Sequence, residues 1–273
     1  MNKKENKAKV VVREISNFLK VSFGSILSIQ VLTIVIPILI LWEMASRLAW
    51  VQETLCPPPS AIGYAFFDLW INGELLKHIG ASLLRFFLGF FLALAVSVPI
   101  GTLMGWNPTI RKYILPIFQL LAPIPPPAWV PITIILFGIG LPMQVFLVFL
   151  GVFYPVLFNG YQGIKDTDPR YITSARVFGA SEFTLIKSVY TPHAIGSVIM
   201  GIKIGISIGL VMVVISEMVG AHSGVGYLLI ESKDFFRLDR MIVCMFILGF
   251  IGWFLIEIMK YIENKLSFWK IRR

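Results

Sequence analysis

The chain has 273 residues, of which 57% are hydrophobic and only 14% are charged, and its formal net charge is +9. A soluble domain carries about 25% charged residues, so this composition excludes a single water-soluble globule and predicts a membrane protein. With two cysteines, Cys56 and Cys244, a disulfide scaffold or a cysteine-rich metal site is excluded, and no histidine pattern indicates a metal. The basic residues lie mainly at the termini and in short loops, which does not favour nucleic-acid binding.

The N-terminal segment, residues 1–27, is basic and amphipathic. Val11, Ile15, Phe18 and Leu19 recur on one helical face beside lysines and arginines. This pattern is typical of a helix lying flat on the inner surface of a membrane. We assign 1–27 to a cytoplasmic segment and 28–273 to a transmembrane domain.

Apolar runs long enough to span a bilayer follow one another along the rest of the chain. A span needs about 20 apolar residues. The runs predict helices near 28–47, 81–105, 114–138, 142–163, 194–218 and 241–262. The predicted fold class is therefore all-α, a polytopic transmembrane bundle of about six helices.

The third predicted helix is interrupted by prolines, including Pro125 and Pro126. Each proline lacks an N–H and clashes with the preceding turn, so this helix must kink or break. Irregular backbone at membrane depth is tolerated only where it is buried in protein or lines a water-filled cavity. The stretch 122–131 is therefore a candidate for the wall of a pore.

Polar residues near the predicted helix ends offer further candidates for a solute path. Glu43, Arg85, Lys203 and Glu217 fall near such ends, which argues against the mid-membrane charges that ion-coupled carriers use. Glu217 either faces a path or is solvated at the headgroup level. Asn159 either faces a path or bonds to another helix.

The distribution of charge predicts the topology. Lysines and arginines cluster at both ends of the chain and in the second and fourth loops. By the positive-inside rule, both termini are cytoplasmic in a multi-pass protein of the cell membrane. The first and last outer loops, about 48–80 and 219–240, are then available to an external partner.

The fourth loop, residues 165–192, is long, polar and rich in helix-starting residues such as Asp168 and Ser181. Between them lies a stretch of small residues that would let another backbone approach closely. We expect this loop to dock a cytoplasmic partner. Its candidate docking residues are Thr173, Ser174, Ala175, Arg176, Gly179, Ala180, Ser181 and Pro192.

These residues resemble the cytoplasmic signature of the inner-membrane permeases of ATP-binding-cassette importers, in the branch that includes sulfonate, taurine and nitrate transporters. The signature runs Glu-Ala-Ala, three residues, Gly, about nine residues, an apolar residue and Leu-Pro. Here it is Thr173-Ser174-Ala175, Gly179, and Ile186 through Thr191-Pro192. The leading Glu is replaced by Thr173 and the Leu by Thr191.

The resemblance covers most of the chain after about residue 40. Its other motifs are Cys56-Pro57-Pro58-Pro59-Ser60, Ala81-Ser82-Leu83-Leu84-Arg85, Pro123-Ile124-Pro125-Pro126, Phe137-Gly138-Ile139-Gly140, Ser216-Glu217 and Gly224-Val225-Gly226-Tyr227. It implies the type I importer permease fold, in which the fourth loop forms a helix that couples a nucleotide-binding subunit to the pore.

The resemblance also implies the partners: a cytoplasmic ATP-binding subunit, an extracytoplasmic solute-binding protein and a second permease copy. The chain has no Gly-x-x-x-x-Gly-Lys-Ser/Thr loop, so we expect no cofactor on this chain, with ATP used by the partner, and no enzymatic activity. The implied solute is a sulfonate, taurine or a nitrate-like anion. The alternatives are a vitamin precursor such as a thiamine pyrimidine, or a gradient-driven secondary transporter.

Overall fold

The computed structural model describes residues 29–48 and 56–266, and this part of the chain consists of helices and short connections without a strand. The predicted N-terminal helix and the segment 1–27 lie outside the described residues. The helices are α1 (Ile29–Arg47), α2 (Pro59–Ile71), α3 (Glu74–Trp106), α4 (Pro108–Leu121), α5 (Val130–Phe137), α6 (Leu141–Lys165), α7 (Pro169–Val177), α8 (Glu182–Leu185), α9 (Thr191–Gly220), α10 (Val225–Asp234) and α11 (Leu238–Leu266).

Four helical segments are long and apolar enough to cross a membrane: α3, α6, α11 and the segment Glu182–Gly220 that contains α9. The pair α4 and α5 makes a fifth if it is counted as one span. The all-α prediction is confirmed, although the described residues supply four or five such spans against the six predicted. Helix α1 coincides with the first predicted span, and its 19 residues are near the lower limit of length for crossing.

The proline-rich segment breaks as predicted. Instead of one helix over 114–138, α4 and α5 are separated by a short 3-10 turn, Pro126–Trp129. The segment Pro126–Phe137, which contains this turn and α5, is bent by 87° relative to α4. Pro125 is exposed and Pro126 is half-buried at this corner. The bend is close to a right angle, and such a break within a membrane span is tolerated where the backbone is buried in protein or lines a cavity.

Helix α6 is the centre of the bundle, with α3 and α9 packed along it. Glycines permit the approach of α9. A Cβ added to Gly201 would lie 2.7 Å from the Pro155 oxygen, and one added to Gly209 would lie 2.9 Å from Val152 Cγ2. These glycines of α9 therefore pack on α6 within one subunit. Close contact of this kind increases the dispersion attraction between membrane helices, which no hydrophobic effect drives together.

Two further helices, α2 and α10, lie within segments that the sequence predicted as outer loops. Both are shorter than a membrane span, so a search for long apolar runs passes over them. The first two residues of α2 are Pro59 and Ser60, and Glu43 of α1 accepts hydrogen bonds from Ser60 N at 3.1 Å and Ser60 Oγ at 2.8 Å. Glu43 therefore caps the N-terminus of a neighbouring helix, where its negative charge also interacts favourably with the positive end of the helix dipole.

Candidate functional site

The fourth loop folds into two short helices, α7 and α8, as its helix-starting residues predicted. Asp168 accepts a hydrogen bond from Arg170 N at 2.8 Å, and Ser181 accepts one from Thr184 N at 3.3 Å. Each side chain satisfies an N–H that has no partner in the first turn of its helix. Both N-cap predictions are confirmed.

Helix α7 ends in a tight turn at Gly179. Ala180 N donates to Ala175 O at 3.0 Å and Gly179 N donates to Arg176 O at 2.9 Å, which is the hydrogen-bond pattern of a Schellman motif. Gly179 has a φ of +80°, a left-handed conformation that glycine adopts without steric cost. Gly179 therefore forms the turn that separates α7 from α8.

Side-chain contacts then fix α7 against α8 and both against the bundle. Arg176 Nη2 lies 2.9 Å from Glu182 Oε1, and Trp106 at the end of α3 donates to Glu182 Oε2 at 3.2 Å. Beneath them, the apolar residues Ile164, Leu185, Tyr190 and Ala194 form a buried cluster. The loop is therefore a structured platform rather than a solvated connection.

The tip of this platform is apolar and faces outward. Phe178 is 90% exposed and Val177 is 80% exposed. Thr173, Ser174 and Ser181 are exposed around them, whereas Ala175 and Ala180 are half-buried. An exposed apolar tip on a rigid polar loop is typical of a surface that binds another protein.

A π-helical turn, Ile186–Tyr190, joins the loop to α9, with Pro192 at the second position of that helix. Proline removes one N–H and crowds the carbonyl one turn earlier. The wider π-helical turn accommodates the ring of Pro192. Within this turn, Ile186 O accepts hydrogen bonds from both Thr191 N and Thr191 Oγ1. Turns of this kind occur frequently at functional sites in helices.

At the other end of α9 lies a buried polar network that the sequence did not predict. Arg85 of α3 and Glu217 of α9 form an ion pair at 2.8 Å, and their side chains are 11% and 0% exposed. Arg85 also donates to Gln144 Oε1 of α6 at 2.5 Å and to Ser223 O at 2.9 Å. Three helices and a loop are thereby joined through one guanidinium group.

The same network caps the first turn of α10. Gly224 N donates to His78 Nδ1 at 2.9 Å, Val225 N to Ser82 Oγ at 2.8 Å and Gly226 N to Glu217 Oε2 at 2.8 Å. These N–H groups would otherwise lack partners in a buried position. A Cβ on Gly224 would lie 2.3 Å from Glu217 Cδ, which explains a glycine at that point.

The structure argues against two interpretations that the sequence left open, one for Glu217 and one for Asn159. Glu217 is not solvated at the headgroup level, because its side chain is fully buried and paired. Asn159 does not bond to another helix through its amide nitrogen, since Nδ2 donates to Pro155 O at 2.8 Å within α6. Lys203 lies well inside α9 rather than near its end, and it pairs with Glu263 of α11 at 2.5 Å.

The comparisons with known proteins decide the family. Residues 97–268 match the family described as the inner membrane component of binding-protein-dependent transport systems. The chain belongs to this family. It is therefore a permease of the ATP-binding-cassette importer class, whose members work with an ATP-binding subunit and a solute-binding protein.

Named relatives agree with this assignment. A putative ABC transporter permease protein of Methanocaldococcus jannaschii is 36% identical over 73% of this chain and 75% of its own. A putative aliphatic sulfonates transport permease protein of Bacillus subtilis is 30% identical over 85% of this chain and 84% of its own. The taurine transport system permease protein of Escherichia coli is 28% identical over 85% and 86%.

A solved structure confirms the fold. A chain of the MetNI methionine ABC transporter, in an inward-facing conformation, superposes with a TM-score of 0.58. The match covers 73% of this chain and 97% of the other at 17% identity. The type I importer permease fold is therefore shown, and at this identity the likeness concerns the fold alone.

Proposed function

We propose that two copies of this chain form the pore of an importer for small sulfonate-type anions such as taurine. A soluble binding protein delivers the solute outside the cell. Two ATP-binding subunits bind the platform of α7 and α8 inside, and both termini of the chain face the cytoplasm. The sulfonate class is supported by the names of the Bacillus and Escherichia relatives.

The observation that carries the proposal is the exposed tip at Val177, Phe178 and Gly179. The two elements that flank the loop, α6 and α9, are packed along each other through glycines. A force applied to the platform therefore acts directly on the centre of the bundle. Closure of the ATP-binding subunits would move α6 and α9 together and change access to the pore.

The path itself would follow the corner between α4 and α5, where Pro125 and Pro126 lie. Asn159 of α6 and Glu217 of α9 stay candidates for contact with the solute in another conformation of the transporter. In the present one, Glu217 has no exposed side-chain surface. Arg85 neutralises its charge, so an anion passing nearby would not meet a free carboxylate.

The test uses Gly179 with a matched control. Gly73, at the end of α2, has a φ of +70° and, like Gly179, no atom within 4 Å of an added Cβ. Alanine at either site therefore introduces the same backbone strain, on the order of 1–2 kcal/mol. We expect both variants to insert normally, and only Gly179→Ala to weaken binding of the ATP-binding subunit and uptake of taurine.

Co-purification of the ATP-binding subunit and uptake into proteoliposomes are the measurements. Equal behaviour of the two variants in both assays would contradict the assignment of the platform. Uptake that does not respond to sulfonates, with the subunits correctly assembled, would contradict the solute class while leaving the permease assignment intact.

A further inference from the structure

The end of α10 has an unusual residue in a left-handed conformation. Four described helices are followed by a residue with a positive φ: α2 by Gly73, α5 by Gly138, α7 by Gly179 and α10 by Phe236, with φ of +70°, +70°, +80° and +55°. Phe236 is the only residue other than glycine with a positive φ in the described ranges 29–48 and 56–266. A bulky side chain in this region is a clear outlier.

The hydrogen bonds at Phe236 are those of the Schellman motif that also ends α7. Arg237 N donates to Ser232 O at 2.8 Å, and Phe236 N donates to Lys233 O at 3.0 Å. Glycine is the usual residue at this position because it lacks a Cβ. The chain therefore holds a phenylalanine where its own backbone favours glycine.

Packing within the subunit does not account for this choice. The Phe236 side chain is 80% exposed and that of Phe235 is 74% exposed. Buried residues recover backbone strain through contacts, but these rings are largely open to their surroundings. Backbone strain of this kind tends to occur at functional sites, where the side chain is presented to something else.

The surroundings of the two rings resemble the centre and rim of a protein interface. Lys233 pairs with Asp234 at 3.2 Å, and Arg237 pairs with Asp239 at 2.8 Å, so charges of both signs flank the rings. Beside them is a cavity of about 390 Å³ lined by Glu74, Glu231, Ser232, Phe235, Arg237 and Arg240. An aromatic centre with a charged rim and an adjacent cavity favours a protein partner.

A lipid interface fits these features less well. Membrane interfaces are enriched in Trp and Tyr, whose polar atoms reach the headgroups. The tip of α10, formed by Phe235 and Phe236, instead presents two phenylalanines. A soluble partner with a complementary apolar, mixed-charge surface is the better match.

The position of the tip decides which partner that is. Helix α9 has 30 residues and spans about 45 Å, with the platform at one end and the network that caps α10 at the other. If the platform is cytoplasmic, as the proposed function requires, the tip is outside the cell. We propose that Phe235 and Phe236 form a contact site for the extracytoplasmic solute-binding protein.

The network gives this contact a direct mechanical connection to the bundle. Helix α10 is ten residues long, and side chains of α3 and α9 hold the N–H group of Gly224, which precedes it, and those of its first two residues. A binding protein seated on the tip therefore acts on α9 through Glu217. The opposite end of α9 carries the platform, so one helix connects the two partner surfaces.

The test replaces Phe236 with glycine in the complete transporter, reconstituted in nanodiscs with its ATP-binding subunit and its own binding protein. Phe236→Gly relieves the strain and removes the ring. We expect unchanged or higher thermal stability, with the Kd of the binding protein raised roughly tenfold to thirtyfold and its stimulation of ATP hydrolysis lost. Phe236→Tyr should retain most of the binding. Phe91→Ala, which removes an exposed ring within α3, should change neither the Kd of the binding protein nor its stimulation of ATP hydrolysis.

The outcomes separate the two proposals. If the wild-type transporter responds to the binding protein and Phe236→Gly responds equally, the assignment of the tip is wrong and the proposed function stands. If Phe236→Gly lowers the thermal stability, or separates the two permease copies, the ring serves the fold or the dimer and the tip assignment is overturned. If the wild type shows no response to a binding protein, both proposals fail.

Discussion

The ion pair of Arg85 and Glu217 stabilises the fold only while both charges and their hydrogen-bond partners are present. Moving two charges out of water costs several kcal/mol for each ion, and this cost is recovered when the geometry is good and the remaining polar atoms are bonded. Glu217 meets that condition, because Ser82, Arg85 and Gly226 all donate to it. Removing one partner leaves a buried charge without compensation.

We therefore predict that Arg85→Met destabilises the subunit by about 3–5 kcal/mol. The control is Arg47→Met, since Arg47 forms an ion pair with Glu43 at 2.6 Å but its side chain is 64% exposed. An exposed pair contributes little to stability because water and salt screen its charges, so Arg47→Met should have a much smaller effect. Thermal unfolding of the purified chain in detergent measures both, and equal shifts in the two variants would contradict a stabilising role for the buried pair.

Residues whose role depends on near neighbours were predictable from the sequence. Asp168 and Ser181 act on backbone within a few residues of themselves, so local chemistry was sufficient to identify them. Arg85 and Glu217 are separated by 132 positions, and their pairing depends on how α3 and α9 pack. Their presence in two matching motifs was a signal, but it gave no indication that they touch.

At the scale of the helices, α9 packs closely on α6. Both helices contribute glycines to the contact: a Cβ on Gly163 of α6 would lie 2.7 Å from Ser197 Cβ, just as Gly201 of α9 faces Pro155 O. Backbone atoms on the facing side cannot move away as the end of a flexible side chain can. The contact therefore tolerates little added volume.

Gly201→Ala and Gly249→Ala should consequently change stability in opposite directions. Alanine favours a helix over glycine by about 1 kcal/mol. At Gly249 of α11, where no atom lies within 4 Å of the added Cβ, that gain should appear as a higher unfolding temperature. At Gly201 the overpacking should cost about 1–3 kcal/mol and lower it. A stabilising effect at Gly201 would show that α6 and α9 are packed more loosely than the structure indicates.

Long helices were predicted better than short ones, for a physical reason. A membrane span has a minimum length, which makes α6 and α11 visible as apolar runs. Helices α2 and α10 need no such length, because they are held by side chains of other helices: Glu43 on α2, and His78, Ser82 and Glu217 on α10. The break between α4 and α5 was predictable because proline acts locally, whereas its 87° angle depends on the packing around it.

The subunit as a whole is a bundle with one candidate partner surface at each end. The platform of α7 and α8 carries Phe178, and the tip of α10 carries Phe235 and Phe236. Helix α9 extends from one to the other, with Pro192 near its first residue and Glu217 near its last. Placing the platform inside the cell therefore places the tip outside, and one labelling experiment tests both positions.

We predict that, in cells expressing this chain without its ATP-binding subunit, a membrane-impermeant thiol reagent labels Phe235→Cys in intact cells and labels Phe178→Cys only in inside-out vesicles. Both positions are largely exposed, at 74% and 90%, so accessibility within the subunit does not limit the reaction. Each variant is made in a chain with Cys56→Ser, because Cys56 is partly exposed, whereas Cys244 is fully buried and needs no change. Labelling of Phe178→Cys from outside would invert the proposed topology. Labelling of both positions from the same side would show that α9 does not cross the membrane, and this would contradict the arrangement of the helices as a transmembrane bundle.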